Sequence, residues 1–141
     1  MSGEQLGLPG MTQTYACRIT FSENNSGGTW WLQQEHYDKL FAAGWHPGRT
    51  SYNGSVRGAH RIIVLDAIDE GVANTTAYNM AVLEWEKLTG ENSDDPGCSC
   101  CGAPYQFYDW DTPILLIDWR GRNYEPGVEQ ATLLAMFEEE S

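Results

Sequence analysis

"AHRIIVLDAIDEG", Ala59 to Gly71, is the stretch on which the architecture turns. Its aliphatic run Ile62 to Leu65 suits a strand, yet Arg61, Leu65, Ile68 and Val72 also step along one face of a helix. The helical stepping is taken as the expectation. On that reading the sheet must come from the sequence before and after.

Before it, "TYACRITFSE" alternates in polarity, "NNSGGT" is a glycine turn and "WWL" follows at once, which predicts a β-hairpin over 14–33 with its aromatic end buried. "QQEHYDKLFAAG" sets Tyr37, Leu40 and Phe41 at helical spacing and stops at Gly44. Residues 45–58, rich in Gly, Asn, Ser and Pro, read as a loop or irregular strand with turns.

After it, Asn74 or Thr75 can cap a helix whose one face carries Ala77, Ala81, Trp85 and Leu88 and which Gly90 ends. "YQFYDWDTPILLIDWRG" then offers one or two strands interrupted by Pro113, and "VEQATLLAMFEEES" a last helix through Leu133, Leu134 and Phe137. The sum is an α+β fold: a small antiparallel sheet with about four helices packed mainly on one face. Residues 14–141 make one domain, behind a flexible leader at 1–13 in which Met11 is an alternative start.

The chain of 141 residues sets 20 Asp and Glu against 8 Lys and Arg, a formal charge of -12. Its field repels phosphate backbones and anionic lipid, which argues against direct nucleic-acid or membrane binding. An acidic surface can also imitate DNA, but net acidity by itself signals only solubility. The longest apolar runs, "IIVL" and "ILLI", are too short to cross a bilayer, so the chain reads as cytosolic.

"DDPGCSCCGAPYQF", Asp94 to Phe107, concentrates three of the four cysteines. Cys98 and Cys101 form C-x-x-C followed by glycine, half of a zinc knuckle, with Cys100 beside them. The remaining ligands of a structural zinc would come from Cys17, His36, His46 or His60, none at diagnostic spacing. Redox use would need a lowered thiol pKa, which Asp94 and Asp95 oppose. Small buried thiols packing a tight turn are the third reading, so the cofactor is either none or structural zinc.

Glu35, His36 and Asp38 adjoin in sequence, but consecutive helical residues point apart, and a solvated helix surface accounts for them. Asp66, Asp69, Glu70, Glu84 and Glu86 read likewise as acidic flanks of an apolar stripe. A phosphate-cradling glycine loop, a serine elbow and a paired-histidine helix motif are all missing from the sequence. No catalytic residues are assigned, and the reading leans away from an enzyme.

"GGTWWL" with "AAGW", then "LEWEKLTG", then "GCSCCGAP" together resemble a group of small, functionally uncharacterised proteins encoded by phages of actinobacteria. The resemblance spans about residues 27–104, and Tyr105 stands where such proteins place a histidine. It implies a phage setting in the host cytoplasm. The functional expectation is a non-enzymatic accessory protein that binds a host or phage protein through an acidic, aromatic-bearing surface. A virion component, decorating the capsid or associated with the tail, and a zinc-dependent or thiol enzyme built on Cys98 to Cys101 are the alternatives.

Overall fold

The computed structural model describes residues 12–24, 30–97, 102–116 and 137. In chain order they form β1 (Gln13–Glu23), α1 (Gln34–Ala42), β2 (His46–Pro47), β3 (Gly58–Ala67), α2 (Glu70–Thr89), β4 (Tyr105–Tyr108) and β5 (Ile114–Leu115). The strands make one antiparallel sheet in the order β2-β3-β1-β4, with β5 also paired to β1. The central strand β1 has β3 along one edge from Gln13 to Ser22. Its other edge is shared, with β4 opposite Thr20 to Glu23 and β5 opposite Tyr15 and Ala16.

The stretch Ala59 to Gly71 is therefore not a helix. Its first nine residues belong to β3, and α2 begins only at Glu70, capped by Asp69, whose Oδ1 accepts from the Val72 N–H at 2.8 Å. The cause lies in the burial of β3 on both faces. Ala59 and Ile63 lie opposite Phe21 and Cys17 beneath the helices. Ile62, on the other face, packs with Ala16, Leu116 and Phe137. A strand buried on both sides shows a continuous apolar run rather than alternation, and period alone cannot separate that from a helix. Ile68 and Val72, which completed the helical stepping, are exposed.

The α+β class stands, with two helices among the described residues in place of about four. One expected helix is β3, and the expected C-terminal helix lies outside the described residues except for Phe137. The hairpin over 14–33 is also corrected. β1 pairs with β3, β4 and β5, and Trp30 to Leu32 lead into α1 instead of returning as a strand. Leu32 is buried as expected, but Trp31 is exposed and Trp30 lies under the Arg57 guanidinium, 4.7 Å from it. Asn74 and Thr75 fall inside α2, more than a turn past its true start.

Alternation along β1 builds the larger core. Tyr15, Cys17, Ile19 and Phe21 point to the helical side, where Ala73, Ala77, Ala81 and Trp85 repeat every fourth residue along α2. Small residues let the helix approach the sheet, and Trp85 fills the space beyond them. Its ring lies 5.0 Å from Phe21, 4.8 Å from Tyr105 and 5.2 Å from Phe107, and burying such a side chain stabilises the fold by about 3 kcal/mol. Gly90, at φ 75°, ends α2 in the left-handed conformation that favours glycine.

Candidate functional site

β2 covers only the first part of β3. The register pairs His46 with His60 and Pro47 with Ala59, and beyond His60 no described strand lies on that edge. Backbone hydrogen bonds fix which groups face outward. The Glu23 N–H donates to the Arg57 carbonyl, so alternate residues Ala59, Arg61, Ile63 and Leu65 turn their backbone groups toward β1. Gly48 N–H donates to the Gly58 carbonyl on the β2 side, so Ile62 and Val64 turn theirs to the open edge.

A groove of about 860 Å³ runs along that edge. Four consecutive β3 residues, Arg61 to Val64, line it, which requires the strand's edge itself to face the space. The C-terminal end of α1 from Phe41 to Gly44 forms one wall, and Met80, Leu83 and Glu84 of α2 form the other. Met80 and Leu83 are 47% and 66% exposed, an apolar rim that no described residue covers. A strand edge usually carries lysine, proline or a bulge against unwanted pairing. Ile62 to Leu65 carries no charge and no proline.

Glu84 also lines the groove. It accepts from Trp45 Nε1 at 2.7 Å and from Arg61 Nη2 at 3.2 Å, while Arg61 Nε lies 2.9 Å from Glu84 Oε1 without hydrogen-bond alignment. Gly44, at φ 112°, makes room for this arginine: a Cβ there would stand 2.5 Å from Arg61 Nη1. Trp45, β3 and α2 are thus tied at one carboxylate.

A second carboxylate, Glu23, differs in being fully enclosed, at the end of β1. Its Oε2 accepts the Trp31 and Leu32 N–H groups at 2.6 and 2.9 Å, and its Oε1 accepts the Tyr37 hydroxyl at 2.8 Å. Arg57 Nη1 lies 3.4 Å from Oε1 and donates to the Leu32 carbonyl at 3.0 Å. Burial, together with the negative charge of Glu23, pushes the Tyr37 phenol well above its ordinary value. A tyrosine held protonated against a carboxylate satisfied four ways ties the segment before α1 to that helix, and the arrangement is a clamp.

Cys98, Cys100 and Cys101 lie outside the described residues, and so does any metal site built on them. The described residues on either side of them lie close together, since a Cβ on Gly97 would stand 2.0 Å from the Gly102 carbonyl oxygen. The other candidate ligands are scattered. Cys17 is enclosed in the core, where burial pushes its thiol up to about 12. His36 Nδ1 accepts the Gln33 N–H at 2.8 Å in the capping box of α1. His46 and His60 stand opposite each other on β2 and β3, and His60 Nδ1 lies 3.0 Å from Thr20 Oγ1. No group of three or more potential metal ligands occurs among the described residues.

Glu35 and Asp38 are exposed beside that cap, and Asp38 accepts from the Gln34 amide at 2.9 Å, in keeping with a solvated helix surface. Trp31, Tyr52 and Trp110 are the exposed aromatics among the described residues. No protein-family model, curated protein or solved structure matches the chain. Among the described residues no helix is long and apolar enough to cross a membrane.

Proposed function

We propose that the chain is a non-enzymatic binding protein that takes up an extended segment of another protein along the open edge of β3. The observation that supports this reading is a strand edge and an apolar groove occupying the same place, walled by α2. An added strand would receive backbone hydrogen bonds from Ile62 and Val64, and its alternate side chains would enter the groove against Met80 and Leu83. Backbone pairing supplies affinity in this mode, and the groove supplies selection.

Charge identifies the occupant's character. At -12 the chain attracts a segment with basic residues flanking its apolar ones and repels a second copy of itself. The resemblance to actinobacterial phage proteins supports a host or phage protein, met in the host cytoplasm, as that partner. Recognition thus falls on an apolar groove within an acidic body.

The test uses two synthetic peptides, one alternating valine with lysine and one alternating valine with glutamate, titrated into the full chain. The lysine peptide is expected to bind and the glutamate peptide to bind at least tenfold more weakly. Leu83→Asp, on an exposed site that leaves the fold intact, should abolish binding. Equal binding of both peptides, or binding unchanged in Leu83→Asp, contradicts the reading. Sedimentation showing a dimer that Leu83→Asp dissolves would assign the edge to a second copy and overturn the charge argument.

A further inference from the structure

The sheet face turned away from the helices is divided. At one end Ala16, Ile62, Leu116 and Phe137 form a small apolar cluster. Toward the other end Thr20 lies between His60 on β3 and Tyr108 on β4, and a cavity of about 330 Å³ opens above this row. Arg18 marks the border, with its guanidinium 5.4 Å from the Phe137 ring centre and its Nε and Nη2 donating to Asp111 at 3.0 and 3.2 Å.

Two features of this cavity are unexpected in so acidic a chain. Three of the four described arginines face carboxylates: Arg18 with Asp111, Arg57 with Glu23 and Arg61 with Glu84. The fourth, Arg49, has no carboxylate partner among the described residues. Its Nη1 donates instead to Ser22 Oγ at 3.1 Å and to the Glu23 carbonyl at 3.0 Å, which steadies the guanidinium at the cavity wall. Trp110, which also lines the cavity, is 81% exposed, and its ring centre lies 4.3 Å from that of Tyr108. The Tyr108 hydroxyl donates to Gln106 and so fixes that ring.

We infer that this cavity binds a small planar aromatic ligand carrying one anionic group, its ring against Trp110 and Tyr108 and its anion at Arg49. An exposed tryptophan offers a stacking surface that gains from being covered, and a guanidinium without a competing carboxylate is the residue suited to an oxyanion. The cavity lies at the small end of the roughly 300–1,000 Å³ usual for ligand clefts, which limits the ligand to about the size of a mononucleotide. Mononucleotides and aromatic carboxylates share this chemistry. The site is separate from the β3 groove, so either can fail without the other.

The experiment is calorimetric titration of the full chain with adenosine 5′-monophosphate, indole-3-acetate, adenosine and inorganic phosphate. At least one of the two anionic aromatics should bind saturably, and whichever does identifies the source. Adenosine and phosphate, each lacking half of the pharmacophore, should bind at least tenfold more weakly. Trp110→Ala, with an unchanged melting temperature, should weaken the aromatic anion at least tenfold, and Arg49→Gln should reduce it to the level of its neutral counterpart, with Arg49→Lys restoring part of the loss. The inference is overturned if neither anionic aromatic binds, if adenosine binds as well as its monophosphate, or if Trp110→Ala leaves affinity unchanged.

Discussion

Tyr37 on α1 donates its hydroxyl to Glu23 at the end of β1 across 2.8 Å, inside a fully enclosed site. The pair joins the first strand to the first helix through residues 14 apart in sequence. Tyr37→Phe removes the hydrogen to Oε1 and should cost about 1–3 kcal/mol in urea unfolding. Glu23→Ala leaves the Trp31 and Leu32 N–H groups and Arg57 without their acceptor and should cost about 3–5 kcal/mol. A loss near zero for Glu23→Ala would remove the clamp from the account.

Trp85 touches three aromatic rings, and its buried Nε1 has no hydrogen-bond partner among the described residues. Trp85→Ala should destabilise by about 3–5 kcal/mol through the cavity it leaves. Trp85→Phe should cost distinctly less, because the lost indole N–H leaves no acceptor stranded. Equal losses for the two, measured by denaturant midpoint, would show the indole nitrogen to be paired in solution.

Gly44 and Arg61 compete for one volume. Gly44→Ala puts a side chain on a φ of 112° and against the guanidinium, so about 1–3 kcal/mol of destabilisation is expected. Part of that loss should vanish in an Arg61→Ala background, where the clash is gone but the backbone strain remains. Strict additivity in the double-mutant cycle would mean that the two side chains do not meet.

Alkaline pH should unfold the protein through protons that burial holds in place. Burial raises the Cys17 thiol from 9.0 to about 12, and burial with nearby carboxylates raises the phenols of Tyr37 and Tyr105 above 10.0. Each folded pKa exceeds the unfolded one, so these groups contribute fully below the unfolded values and progressively less as pH rises above them. Melting temperature should therefore fall between about pH 9 and pH 12, and less steeply in Cys17→Ala. A flat profile over that interval would contradict the burial of the thiol.

The sequence disclosed those elements whose two sides differ in polarity. β1 alternates because its side away from the helices carries the polar Arg18, Thr20 and Ser22, and α1 and α2 show their periods and their terminal glycines. β3 was hidden because both of its faces are covered. The groove was hidden with it, since an unguarded edge is recognisable only once Ile62 to Leu65 is known to be a strand. Arg49 and Trp110 were invisible as a pair: residues 61 apart in sequence line one cavity only because β3 and β4 flank β1 on its two edges. The cysteine turn, the plainest motif in the sequence, lies outside the described residues.

The open edge of β3 is tested most directly by amide hydrogen exchange, residue by residue, with and without the valine–lysine peptide. In the free chain the Ile62 and Val64 amides should exchange rapidly while those of Arg61, Ile63 and Leu65, bonded to β1, stay protected, and the peptide should slow Ile62 and Val64 alone. Ile62 and Val64 already protected in the free chain, or unaffected by the peptide, would contradict the account.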